Sequence, residues 1–341
     1  MGQTREARVS HDVLRLWSRA YDGFSDNPVG PGPQSMVPSF PKQPGDCGGT
    51  TSDPSKSMNH QILIASYSKD FIWLGPCLAS LNKFCNGFLP PVISVAPDDA
   101  GGANELVNRF YPEATVVVHC DERGKAKGNL RAQMSMMHGD RLCRAADYIW
   151  LVGSDCIVHK EFSPEPFFRD GKPVMLINTY EHLLKYVPRA CIQPWQQGVE
   201  WALGFSPSYE YMRRLPLMYP RDLFIATRFA VENRHGVPFE DFVYNGSTKV
   251  FNGDRPERSD ASNFSESNLL GAYAHKYTPD MFEWVDLDNQ PNPIPNPMIQ
   301  FWSHGGLDKE CDIRFDYSGG NTFGKVPRAV ITEILGANAI S

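Results

Sequence analysis

Three observations in the sequence predict an α/β fold built on a mostly parallel sheet. Short apolar runs of strand length recur between residues 61 and 177. Each run is nearly continuous rather than alternating, as in strands covered on both faces. Segments with apolar residues at helical spacing separate the runs, the pattern of repeated strand–helix units.

The first run, Gln61–Tyr67, passes from Ile62, Leu63 and Ile64 to a polar end at Ser66 and Tyr67, with Asp70 just beyond. Phe71 to Phe84 then carries apolar residues at helical intervals. Val92–Ala96 reads as a second strand that closes on Pro97, Asp98 and Asp99, and Thr115–Val118 as a third. Residues 130–146 are predicted helical, with Leu130, Met134, Met137 and Leu142 on one face. Tyr148–Val152 is a fourth strand and Val174–Ile177 a fifth.

Beyond residue 180 the pattern loosens. Helices are expected near 221–234, 238–245, 265–277 and 327–337, while 213–220 and 289–297 read as long loops. Trp195, Gln196 and Gln197 fall in a Pro-bounded segment read as a loop, where an aromatic face suits a sugar or plugs the core. Before the first strand, Val13, Leu14, Trp17, Tyr21 and Phe24 recur at helical spacing, and Pro, Gly and Ser then make up more than half of 25–57. The predicted organisation is a helix and flexible arm over 1–57, one catalytic domain over 58–320, and a C-terminal tail or helix over 321–341. The N-terminal helix is expected to dock on its own body or on a partner.

Composition narrows the function classes. With 41% hydrophobic and 12% aromatic residues in 341, the chain has ample material for a core. A formal charge of −6 gives no general attraction to nucleic acid or anionic lipid. No apolar stretch is long enough to span a membrane. The first residues lack the apolar core of a signal peptide, and Glu6 stands where myristoylation needs Ser or Thr. Eight cysteines include no CxxC pair, so a cytoplasmic location with reduced thiols is expected. Lys125, Lys127 and Arg131 form a basic cluster that reads as a solvated loop and helix start.

Three phrases carry the chemistry. In the first, the strand ending at Val152 continues Gly153-Ser154-Asp155. An acid leaving a buried strand is well placed to hold a divalent cation against phosphate oxygens. In the second, His304, Gly306 and Lys309 fall at H-x-G-x-x-K spacing. Imidazole is a metal ligand, glycines admit a diphosphate close to the backbone, and lysine neutralises departing charge. In the third, Ser265 is a helix N-cap that puts Glu266 in the first helical turn. There Glu266 complements the helix dipole or serves chemistry.

Together these phrases resemble the GT-A glycosyltransferases, whose metal motif is an Asp-x-Asp closing an apolar strand. Gly153 stands at the first acidic position and Asp155 at the second. The His304 phrase is similar to the C-terminal motif of glycogenin-like and galactinol-type members, and the overall order to poorly characterised bacterial and bacteriophage transferases. The resemblance implies a single GT-A, Rossmann-like domain that moves a sugar from a nucleotide diphosphate sugar, UDP-linked for choice, to an acceptor hydroxyl. It implies Mn²⁺ or Mg²⁺ on Asp155 and His304. Tyr67, Asp70, Asp98, Ser154, Gly305 and Gly306 would meet the donor, Lys309 the leaving group and Glu266 the acceptor. The acceptor stays open among a glycan, a protein and a hydroxymethylated DNA base, and the H-x-G-x-x-K spacing tilts the expectation toward retention. A metal-dependent nucleotidyltransferase or phosphohydrolase, and a non-catalytic binding relative, remain alternatives.

Overall fold

The computed structural model describes residues 58–119, 128–185, 189–212, 215–246, 265–301, 306–308, 311–314 and 322–339. The helix and arm expected over 1–57, with Lys125 and Lys127, lie outside them. The first half follows the predicted alternation: β1 (His60–Ala65), α1 (Phe71–Phe84), β2 (Leu89–Val95), α2 (Ala100–Phe110), β3 (Thr115–Val118), α3 (Gly128–Met137), α4 (Gly139–Leu142), β4 (Tyr148–Gly153) and β5 (Cys156–Val158). The single helix expected over 130–146 divides at His138, whose backbone leaves the helical region. Gly139 then lets α4 settle against Phe224 and Ile149.

The second half holds β6 (Phe168–Arg169), β7 (Lys172–Thr179), α5 (Tyr180–Leu183), α6 (Arg189–Leu203), β8 (Tyr209–Glu210), β9 (Leu217–Pro220), α7 (Arg221–His235), α8 (Phe239–Asp241), α9 (Glu266–Tyr277), β10 (Glu283–Asp286), β11 (Met298–Phe301), β12 (Cys311–Arg314), β13 (Thr322–Lys325) and α10 (Pro327–Leu335). Two readings are corrected. Trp195, Gln196 and Gln197 sit within α6, not in a loop, because Val199, Ala202 and Leu203 are buried in the core and packing overrides Pro194. The expected loop 213–220 ends in β9, whose Leu217, Met218 and Tyr219 are buried. The helix expected over 238–245 is present as the short α8 running into a π-helical stretch over Phe242–Gly246.

The central sheet has the order β3-β2-β1-β4-β9. The first four strands are parallel and β9 is antiparallel to β4, so the sheet is mixed and mostly parallel. Alternate residues of each strand serve opposite faces. Leu63, Val92, Ile149, Leu151 and Tyr219 pack with α3, α6, α7 and α9. Ile62, Ile64, Ile93, Trp150 and Val152 pack with α1 and α2, and buried Ile331 brings α10 onto that face. Residues 322–339 are thus tied to the body, and Lys83 also donates to the Ile334 carbonyl. A second sheet, β10-β7-β6 with β8 on β7, and an antiparallel sheet, β13-β12-β11-β5, complete the architecture. No described helix is long and apolar enough to cross a membrane.

Gly271 marks the tightest helix contact. A Cβ there would overlap Cβ of Tyr211, an atom fixed by the backbone that no rotamer change can move away. Gly271→Ala gains about 1 kcal/mol of helix propensity and loses about 1–3 kcal/mol to overpacking. A net fall in thermal midpoint is expected by calorimetry, and a rise would show that α9 shifts freely.

Candidate active site

In open α/β sheets ligands sit beyond the carboxyl ends of the strands, where connections diverge to opposite sides. That point lies between β1 and β4. From β1 the chain turns to β2, on the far side from β4. Ser66 and Tyr67 leave β1, and the buried Ser66 and Ser94 hydroxyls find no hydrogen-bond partner among the described residues. Unpaired buried hydroxyls are rare in native folds and call for an explanation such as a ligand. Tyr67 is partly buried, and burial together with a hydrogen bond to Asp70 raises its hydroxyl above the usual range. Asp98 sits exposed in the single turn after β2.

Asp155 occupies the corner at which the chain leaves the central sheet as β4 and enters the antiparallel sheet as β5. Ser154 beside it is buried. The Asp155 carbonyl accepts the Phe301 amide at 2.9 Å, and its Oδ1 lies 3.5 Å from Gln300 Nε2. Both partners come from β11, so the segment leading to His304 is bonded directly to the Asp155 turn. Burial pushes the Asp155 carboxyl up to about 7, with Asp70 adding to the rise and the Gln300 hydrogen bond opposing it. A Cβ at Gly153 would lie 2.6 Å from Asp155 Oδ1, so any side chain there would require the Asp155 carboxylate to move. The carboxylate has folded back into the space that a first acidic residue would fill.

The raised pKa has a stability consequence in metal-free buffer. The folded chain keeps a proton on Asp155 up to about pH 7, whereas the unfolded chain loses it near 3.8. The associated stability is complete below the lower value and is lost as pH rises through the upper one. Asp155→Asn removes that slope. Its thermal midpoint should approach that of the natural chain at pH 4 and exceed it at pH 8. Parallel midpoint curves would mean that Asp155 ionises freely.

Glu266 opens α9 as expected from its cap: Ser265 Oγ accepts the Asn268 amide at 3.2 Å. The side chain is nonetheless buried, at 9% exposure, and takes a hydrogen bond from the Ser267 hydroxyl at 3.1 Å. Burial raises its carboxyl above the usual range. Asn268 Oδ1 accepts the Tyr211 amide, which ties this helix start to the chain leaving β8. Tyr219 donates to the Ser267 carbonyl.

His304, Gly305 and Lys309 lie outside the described residues. Of their loop, Gly306 has φ 73°, a left-handed backbone that favours glycine, Leu307 is buried, and Asp308 pairs with Arg328 at 2.5 Å. Among the described residues no three His, Cys, Asp or Glu side chains converge as a metal cluster.

One polar group escaped the sequence reading. Asp288, after β10, accepts from Asn178 Nδ2 at 2.6 Å and from the Thr179 amide and hydroxyl at 3.1 and 2.5 Å. His182 Nδ1 lies 3.7 Å away. Asn178 and Thr179 directly follow the strand expected over Val174–Ile177, but their partner comes from a segment more than 100 residues later. The group ties the ends of β7 and β10 together, and its hydrogen bonds from Thr179 and Asn178 keep Asp288 below the usual carboxylate range despite the opposing effect of burial. No protein-family model matches the chain, and no curated protein is detectably similar to it.

Proposed function

We propose that the chain is a metal-dependent glycosyltransferase that takes a nucleotide diphosphate sugar as donor. One observation carries the reading: the Asp155 turn at the strand switch point is hydrogen-bonded to β11, the strand that runs into the His304 phrase. The Asp155 phrase is thus bonded to Gln300 and Phe301, the two residues that open the other phrase resembling a GT-A cation site. The unpaired hydroxyls of Ser66 and Ser94 and the Tyr67–Asp70 pair border the same edge of the sheet.

A divalent cation fits this donor set. Burial makes Asp155 costly to ionise, Asp70 adds to that cost, and a bound cation would offset it. Asp155 and His304 would hold Mn²⁺ or Mg²⁺, which supplies charge neutralisation for the donor diphosphate. Lys309 and the backbone amides near Gly306 stabilise the leaving diphosphate. The acceptor hydroxyl attacks the anomeric carbon, the bond from that carbon to the diphosphate oxygen breaks, and nucleoside diphosphate departs. Glu266, with its raised pKa, is suited to receive the hydroxyl proton if configuration inverts. If configuration is retained, it positions the acceptor and the donor phosphate takes the proton.

Incubation with a panel of nucleotide sugars and Mn²⁺ tests the reading. Metal-dependent release of nucleoside diphosphate is expected. Release of nucleoside monophosphate would instead identify a phosphohydrolase, and no turnover with any donor would leave a binding protein.

A further inference from the structure

The amino end of the central sheet holds a half-open cavity. It has a volume of about 570 Å³ and opens at the amino ends of β1 and β2. That size is typical of small-molecule sites, which pair apolar walls with a few placed polar groups. Phe88, Leu89, Pro164 and Phe168 form walls here, and His60 and Glu165 supply the polar groups.

His60 is only 7% exposed, and its ring is clamped by Tyr148, stacked at 5.4 Å, and by Phe168, edge-on at 5.4 Å. Its Nδ1 lies 3.2 Å from the indole nitrogen of Trp150. Indole N–H only donates, so Nδ1 accepts and the proton of a neutral ring sits on Nε2. That N–H has no hydrogen-bond partner among the described residues. Asn59, the neighbouring polar residue, has already committed its amides to Asp147 and to the Ala145 carbonyl. Glu165 is exposed, and a hydrogen bond from Ser163 holds its carboxyl below the usual range. The cavity therefore offers one fixed donor and one carboxylate acceptor between aromatic walls.

A simple organic cation satisfies the carboxylate but opposes the His60 N–H. A neutral acceptor satisfies His60 and leaves Glu165 unused. We propose that the cavity binds a planar amino-heterocycle of the nucleobase type, with a ring acceptor atom on His60 Nε2–H and the adjacent exocyclic amine on Glu165. The site is independent of the transferase reading, because it lies at the other end of the strands and uses none of the residues assigned to the donor.

Titration of the full chain with free nucleosides, which carry no diphosphate, tests this by calorimetry or ligand-observed NMR. Adenosine should saturate, and purine riboside, which keeps the ring acceptors but lacks the exocyclic amine, should bind at least about tenfold more weakly. Glu165→Gln, at an exposed position that leaves the fold intact, should weaken amino-nucleoside binding by about tenfold, while Asp155→Asn leaves it unchanged. Absence of saturation by every nucleoside would overturn the proposal. So would equal affinity for purine riboside, or loss of binding in Asp155→Asn rather than Glu165→Gln, which would move the base to the carboxyl end of the sheet.

Discussion

Arg228→Ala is expected to lower the unfolding free energy by about 3–5 kcal/mol, the range for removing one partner of a buried ion pair. Arg228 lies on α7 with its side chain 6% exposed, and its two terminal nitrogens meet the two Asp140 oxygens at 2.6 and 2.9 Å. It also donates to the Met137 carbonyl. The truncation strands Asp140, itself 8% exposed, and orphans a helix-end carbonyl just where α3 breaks into α4. Close by, His138 contacts Glu240 at 2.8 Å, so the loss falls on a junction of four helices. Urea unfolding measures the cost. The double variant Arg228→Met with Asp140→Leu should recover much of it, since a buried pair is often replaced by apolar residues without loss. A single variant within 1 kcal/mol of the natural chain would show the junction to be dispensable.

The second large effect concerns the Asp155 corner. Asp155→Ala is expected to reduce metal-dependent donor turnover by more than about 100-fold, at least the effect of deleting one transition-state hydrogen bond. Gly153→Asp, which completes the Asp-x-Asp phrase, should also lose activity instead of gaining it. The added Cβ lies 2.6 Å from Asp155 Oδ1, so the new side chain must displace the carboxylate to which the proposed function assigns the cation. It also adds a second carboxyl beside one that burial already keeps difficult to ionise. Steady-state kinetics with Mn²⁺ across both variants decides the matter. Enhanced turnover in Gly153→Asp would mean that the corner is pliable and that glycine is there for a reason other than space.

The central strands were legible because β1 and β4 are buried on both faces and therefore write continuous apolar runs. Ser265 was legible because helix capping is decided within four residues. β9 and α6 were hidden by Pro216 and Pro194, local signals that the burial of Tyr219 and Val199 outweighs. The bond from Gln300 to Asp155 was beyond reach for a different reason: the partners are 145 residues apart, and no local preference of Gln300 announces its target. The burial of Glu266 was likewise unreadable. A cap specifies where a helix begins but not what later covers it, and here the neighbours are Tyr219 and the chain around Tyr211.

The corner at Asp155 also has a meaning for assembly. Its carboxylate closes one sheet and opens another, and the strand that braces it is made almost half a chain later. A nascent chain that has formed only β1 to β4 owns the acid but not its brace, and long-range closures of this kind come late in folding. The braced Asp155 corner therefore exists only once these distant segments have met. A ligand that recognises it favours completed molecules over partly assembled ones, in proportion to its concentration.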